Sequence, residues 1–172
     1  MSTAPESPPA TLRDFLHAKA DEYGVRDRLR RRKEWLDAIG RLYQRLETWM
    51  READPEGLLD IVPYEVQRTE QGLGTFNVPA LLVSFGPEDI SIEPMFAGPS
   101  RHLLDVAIDR DQSYQAEVKP PYQGRVDISN RFNTFHIYRK VGEPETWHVL
   151  DGRIPRELDR DRFESILKEL LA

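Results

Sequence analysis

The chain has 172 residues, 39 % of them hydrophobic, which is enough for one core of ordinary size and too few for two separate domains. A net charge of -6 argues against bulk electrostatic binding to nucleic acid or to an acidic membrane, although a local basic patch could bind either. The absence of cysteine excludes disulfides, thiolate metal sites and thiol nucleophiles. No apolar run approaches a membrane span and the first ten residues lack the features of a secretory signal, so we expect a cytoplasmic protein.

The N-terminal region is predicted to form a short tail followed by two helices. Residues 1–10 are rich in Pro and Ser and offer little to bury, so we expect a disordered tail. Thr11 is followed by Asp14 at the spacing of a capping box, which predicts the start of a short first helix that Gly24 weakens. The apolar face of this helix comprises Leu12, Phe15 and Leu16.

A second, longer helix is predicted from about Val25 to Arg51. Its apolar residues fall within about 140° of one another, a stripe broad enough to pack on a sheet. Residues 54–57, Asp-Pro-Glu-Gly, end the helical region near residue 53. Three residues of the stripe have heptad spacing, so a homodimer is an alternative use of the same face. The stripe comprises Leu36, Ile39, Tyr43, Leu46, Met50 and the heptad residues Trp35, Leu42 and Trp49.

Residues 58–150 are predicted to form short strands, because apolar and polar side chains alternate with a period of two between turn residues. The connections are too short for crossover helices, which predicts an antiparallel sheet. Pro79 cannot donate to the ladder and indicates an edge position or a bulge in the second strand. The predicted strands are 60–68, 75–85, 89–96, 102–109, 113–119, 124–129, 133–139 and 145–150.

A C-terminal helix is predicted over residues 158–171, with Asp159 as its cap and its apolar residues on one side. We therefore predict an α+β fold with a single domain over residues 11–172. Its sheet is a mostly antiparallel meander, and the long N-terminal helix and the C-terminal helix cover one face.

The predicted hairpin over residues 102–119 sets two carboxylates against each other. A register that keeps the apolar side chains on one face pairs Asp105 with Glu117, and a turn at 120–123 would place Asp127 opposite Glu117 as well. Neighbouring like charges cost stability, so a cation, a proton or a basic neighbour should relieve them. One interpretation is a Mg²⁺ site of Asp105, Glu117 and Asp127, and the other is an ordinary solvated face neutralised by nearby Lys and Arg.

Two histidines are predicted to face each other on the same polar side. A turn centred on Gly142 pairs the strands so that His136 lies opposite His148. Paired imidazoles could bind a metal ion or titrate near neutral pH, and the alternative is that both are surface residues of the sheet. The same register places on the buried face Phe135, Ile137, Trp147 and Val149.

An Asp on one strand, followed on the next by Glu117, Val118 and Lys119, resembles the D…ExK core of the PD-(D/E)xK nucleases. The resemblance covers about 15 residues. It implies that Asp105 and Glu117 hold Mg²⁺ and that Lys119 positions or helps to deprotonate the attacking water.

Six basic residues cluster at the start of the long helix. Arg28, Arg31 and Arg32 project into the sector that becomes the apolar stripe further on, so we expect this end of the helix to leave the core. One interpretation is a docking site for an acidic partner or a phosphate backbone. The other is a solvated helix end held by ion pairs at a spacing of four. The cluster is Arg26, Arg28, Arg30, Arg31, Arg32 and Lys33.

The sequence contains no Gly-rich phosphate loop, no G-x-S-x-G nucleophile motif and no H-E-x-x-H motif. We therefore predict a non-enzymatic interaction module or accessory subunit that binds another protein and needs no cofactor. The alternative from a different class is a Mg²⁺-dependent nuclease with Asp105, Glu117 and Lys119 as its catalytic residues.

Overall fold

The computed structural model describes residues 11–99, 122–152 and 154–172, which form three helices and a seven-stranded antiparallel sheet. The strands follow one another in chain order across the sheet, which confirms the predicted α+β meander. The predicted tail and the predicted strands at 102–109 and 113–119 lie outside the described residues. The helices are α1 (Leu12–Glu22), α2 (Val25–Ala53) and α3 (Arg160–Leu171). The strands are β1 (Asp60–Glu70), β2 (Gly74–Phe85), β3 (Glu88–Pro99), β4 (Tyr122–Ser129), β5 (Thr134–Lys140), β6 (Thr146–Asp151) and β7 (Ile154–Glu157).

The main core lies between one face of the sheet and the helices α2 and α3, as predicted. Trp35 and Leu42 of the helical stripe are buried in it, so this part of the stripe packs within the chain. The α2 residues of the core are Trp35, Ala38, Ile39, Leu42, Tyr43, Leu46 and Met50, and the sheet supplies Leu81, Val83, Ile90, Ile92, Val126, Ile128, Ile137, Trp147 and Val149. The C-terminal part supplies Leu158, Phe163, Ile166, Leu167 and Leu170.

Side-chain caps define the helix ends where the sequence predicts them. Thr11 accepts a hydrogen bond of 3.2 Å from the backbone amide of Asp14, and Asp159 accepts one of 2.8 Å from that of Arg162. Beyond the end of α2, the carboxylate of Asp54 accepts hydrogen bonds from two backbone amides, which lower its pKa. These capping bonds satisfy polar groups that a helix end or turn leaves free.

The β5–β6 register differs from the predicted one by two residues. Tyr138 lies opposite His148 and Ile137 lies opposite Val149, so the prediction that His136 faces His148 is wrong. The chain reverses about residue 143 and not about Gly142, which moves every pair by two positions. A shift of two keeps each side chain on its own face. This explains why Ile137, Trp147 and Val149 are buried as predicted although their partners differ.

Pro79 lies in a strand with neighbours on both sides, so the predicted edge position is wrong for β2 as a whole. The ladder between β2 and β3 extends only from Leu81 to Phe85, however, and Pro79 lies before it. The hydroxyl of Tyr43 donates to the carbonyl of Pro79 at 2.8 Å and lies 3.3 Å from that of Ile92. A helix side chain therefore satisfies backbone acceptors at the point where the two strands part.

The sheet face opposite the helices is not an open solvated surface. Tyr138 is fully buried on this side, and Asp127 is 9 % exposed. A solvated face is one of the two interpretations of this side, and at Tyr138 and Asp127 the side chains are buried. The four-residue strand β7, which the sequence prediction omitted, pairs with β6 and extends the sheet beyond it.

Candidate functional site

Residues 11–33, which we name the elbow, comprise α1, the turn at Gly24 and the first turns of α2. Gly24 lies between the helices with φ of +68°, a left-handed conformation that only glycine adopts at little cost. The backbone amides of Tyr23 and Gly24 donate to the carbonyls of Lys19 and Asp21, at 2.9 and 3.2 Å. These bonds close α1 before the chain turns into α2.

Apolar side chains of the elbow are exposed to solvent. No residue of α1 is buried, although the sequence gives this helix an apolar face. The side chains at least half exposed are Leu12 (72 %), Tyr23 (65 %), Leu16 (55 %), Leu29 (52 %) and Phe15 (50 %). Single exposed apolar residues are common on protein surfaces, whereas several in one place mark an interaction site.

Four of these side chains, all except Leu12, line a groove of about 430 Å³ between the two helices. Lys19 and Arg26 are the Lys and Arg residues among those lining it. Lys19 pairs with Glu22 at 2.9 Å, and Arg26 pairs with Asp21 at 3.3 Å. The groove, which we name the elbow groove, is lined by Phe15, Leu16, His17, Lys19, Ala20, Tyr23, Val25, Arg26 and Leu29.

The elbow differs in charge from the rest of the chain. It contains eight Lys and Arg residues and four Asp and Glu residues, a formal charge of +4, whereas the remaining residues sum to -10. Charge asymmetry of this kind within one chain concentrates positive potential on one part of the sequence.

The three arginines predicted to dock a partner divide between two environments. Arg28 and Arg32 are half-buried against the β1–β2 turn, where Arg32 donates to the carbonyl of Leu73 and stacks on Phe76 at 5.3 Å. Arg31 is exposed and lies beside the same turn. No residue of α2 before Trp35 is buried, which agrees with the expectation that this end of the helix leaves the core, although Arg28 and Arg32 pack on the β1–β2 turn.

A second polar cluster lies on the sheet face opposite the helices. Asp127 on β4 is paired with Arg125 at 3.0 Å and with Nδ1 of His136 at 2.7 Å. Its cross-strand neighbours are Glu93 on β3 and His136 on β5, so the predicted pairing of Asp127 with Glu117 is wrong. Ion pairs, and not a ladder of three carboxylates, surround Asp127.

Glu93 is held by residues of β1 in the same way. It accepts hydrogen bonds from the hydroxyl of Tyr64 at 2.6 Å and from Arg68 at 3.0 Å. Burial and the bond to Glu93 raise the pKa of Tyr64, so its hydroxyl stays a donor. Sequence analysis missed these residues, although the alternation in the third predicted strand puts Glu93 on the polar face.

The remaining residues predicted for a metal or catalytic site are Asp105, Glu117, Lys119 and His148. Asp105, Glu117 and Lys119 lie outside the described residues. Within the described ranges, no three His, Asp or Glu side chains form a group that could hold a metal ion. Nε2 of His148 and the hydroxyl of Thr146 share a hydrogen bond of 2.9 Å, and burial together with Lys140 lowers the pKa of His148, which favours the neutral ring.

No family model, curated protein or solved structure matches this chain. In the part of the chain that the structure describes, no helix is long and apolar enough to cross a membrane. Any function assigned to this chain therefore rests on its own residues and their contacts.

Proposed function

We propose that this chain is a non-enzymatic interaction module that binds another protein through the elbow. The observation that carries the proposal is the set of four apolar side chains, Phe15, Leu16, Tyr23 and Leu29, that line the elbow groove and are at least half exposed. Removing such side chains from water on binding contributes about 25 cal/mol per Å². The lack of cysteine is consistent with the reducing cytosol as the proposed compartment.

The elbow is well suited to a test because its substitutions should not unfold the chain. Leu16 is 55 % exposed and no part of α1 is buried, so Leu16→Glu should change the free energy of unfolding by less than about 0.5 kcal/mol. Phe132 in the β4–β5 turn is 83 % exposed and provides the matched control, Phe132→Glu.

The test places a photoreactive amino acid at position 16, or at position 132 as the control, in the full chain. Irradiation in the cells of origin should give a discrete protein adduct from position 16 that is absent from position 132. Tyr23 lies at the C-terminal end of α1 and lines the same groove, so Tyr23→Glu should remove that adduct. The same adducts from both positions, or none from position 16, would contradict the proposal.

The Mg²⁺-dependent nuclease remains the alternative, and it rests on Asp105, Glu117 and Lys119. A thermal shift assay separates the two proposals. Under the interaction proposal, Mg²⁺ leaves the melting temperature of the wild type and of Asp105→Ala unchanged. A rise with Mg²⁺ that Asp105→Ala abolishes, together with cleavage of DNA or RNA, would favour the nuclease.

A further inference from the structure

We infer that the occupant of the elbow groove is an acidic amphipathic helix of a partner protein. The inference rests on the proposed function and adds the chemistry of the partner. It is carried by the shape of the groove, by the cations on its rim and by the charge of the rest of the chain.

The shape favours a helix over a flat surface. The exposed apolar side chains come from two helices and enclose a groove of about 430 Å³, so they form a concave surface. A concave apolar groove receives the ridge of side chains on one face of a helix. Insertion into a lipid surface instead requires the apolar side chains to project together from a single face.

The rim favours acidic residues beside the apolar stripe of the partner. The ammonium group of Lys19 lies 5.8 Å above the ring of Tyr23, and Arg26 lies next to His17 at 3.4 Å, both at the groove. Over the described residues, Arg13 and Arg31 in the elbow have no carboxylate partner. The net charge of +4 therefore attracts acidic side chains to this part of the surface.

The same charges disfavour a second copy of the chain as the occupant. Two elbows facing each other would bring two charges of +4 together. An elbow against the acidic remainder of another copy would be a head-to-tail contact, which builds open chains unless it closes into a ring. A separate acidic helix meets neither difficulty.

The experiment measures fluorescence anisotropy of labelled peptides of about 18 residues, a length that supports helix formation. The acidic peptide has Leu at helical spacing and Glu on both sides of the Leu stripe. The basic peptide has Lys in place of Glu, and a scrambled acidic peptide has the same composition without the stripe. Each is titrated with the full chain at low and at physiological salt.

We expect the acidic helix to bind at least about tenfold more tightly than either control peptide, and to weaken as salt rises. Leu16→Glu should abolish this binding. The double variant Lys19→Gln, Arg26→Gln should weaken it about fivefold or more, mainly through slower association. Phe132→Glu and Arg131→Gln, both in the exposed β4–β5 turn, should leave it unchanged.

Equal binding of the acidic and basic peptides would overturn the inference. So would sedimentation of the chain with phosphatidylserine vesicles in preference to the acidic peptide, or assembly of the chain into oligomers that Leu16→Glu disrupts. If the adduct at position 16 forms and the acidic peptide does not bind, the inference fails and the proposed function stands. If neither is observed, both fail.

Discussion

Asp127 on β4 lies directly opposite Glu93 on β3, yet each carboxylate has an arginine and a second hydrogen-bonding side chain of its own. Arg125 and His136 pair with Asp127, whereas Tyr64 and Arg68 bind Glu93. Asp127 and Glu93 thus belong to two neighbouring clusters, in each of which an arginine balances the charge of the carboxylate. Neutralising one carboxylate leaves its arginine without a charged partner, which costs more than the relief of repulsion gains.

Asp127→Asn is therefore expected to lower the free energy of unfolding by about 1–3 kcal/mol at pH 7. Asp127 is 9 % exposed, so water replaces the lost partner poorly. Urea denaturation measures the change. The control is Asp89→Asn, which removes an exposed carboxylate bonded to Ser84 at 2.6 Å and should cost less than about 0.5 kcal/mol. A gain in stability for Asp127→Asn would show that repulsion between the carboxylates dominates.

Tyr43→Phe removes the hydroxyl that binds β2 at Pro79, next to the point where the β2–β3 ladder begins. Burial raises the pKa of Tyr43, so the hydroxyl is protonated and donates to the carbonyl of Pro79. Its loss leaves that carbonyl without this donor and should destabilise the chain by about 1–2 kcal/mol. Tyr23→Phe, at a side chain that is 65 % exposed, should change nothing measurable in the same denaturation assay. Equal effects of the two substitutions would contradict a role for the buried hydroxyl.

Gly124→Ala should be severely destabilising, by about 3 kcal/mol or more. Gly124 has φ of +94°, and an added Cβ would overlap the indole ring of Trp35, which is buried and packs 6.0 Å from the ring of Trp147. Gly40→Ala is the matched substitution, because Gly40 is exposed in the interior of α2 with open space around it. It should raise stability by about 0.5–1 kcal/mol. Thermal denaturation should show a lower melting temperature for Gly124→Ala and a higher one for Gly40→Ala. A tolerated Gly124→Ala would rule out the close packing against Trp35.

Glu145 should give a pH-dependent contribution to stability. Burial alone would raise its pKa, but hydrogen bonds from Arg41 at 2.9 Å and Arg139 at 2.7 Å outweigh burial and hold the pKa below its ordinary value. A lowered pKa means that the stabilisation is present above about pH 4.3, the ordinary pKa of Glu, and is lost as the pH falls through the folded value.

Glu145→Gln is therefore expected to be less stable than the wild type by about 1 kcal/mol at pH 7. The difference should shrink as the pH falls below about 4. Urea denaturation over a range of pH gives this comparison. A difference that is constant with pH would show that the charge of Glu145 contributes nothing and that the loss comes from packing.

The order of the elements could be predicted from the sequence because each depends on neighbouring residues. Period-two alternation identifies strands, and the Thr11 and Asp159 caps mark helix starts without knowledge of the rest of the fold. Register depends on turn geometry as well, and the two-residue shift between β5 and β6 leaves the apolar pattern unchanged. The alternation therefore could not distinguish His148 opposite His136 from His148 opposite Tyr138.

The candidate site could be predicted only in part, because burial is a property of the whole chain. The sequence shows that Leu12, Phe15 and Leu16 form an apolar face, but not that these side chains stay at least half exposed in the fold. Conversely, Arg32 looks available on a helical wheel, although it binds the carbonyl of Leu73, 41 residues away. Contacts of such long separation leave no local signal in the sequence.

The strand order of the meander has a kinetic consequence. The described strands pair with their neighbours in chain order, and five of the six connections are short, so those five hairpins can form before the rest of the sheet. The helices that complete the core come from the two ends of the chain, and Arg160 of α3 reaches Glu52 of α2 across 108 residues at 2.8 Å. Docking of α3 beside α2 therefore carries a large loop-closure entropy, and we expect it to follow formation of the sheet.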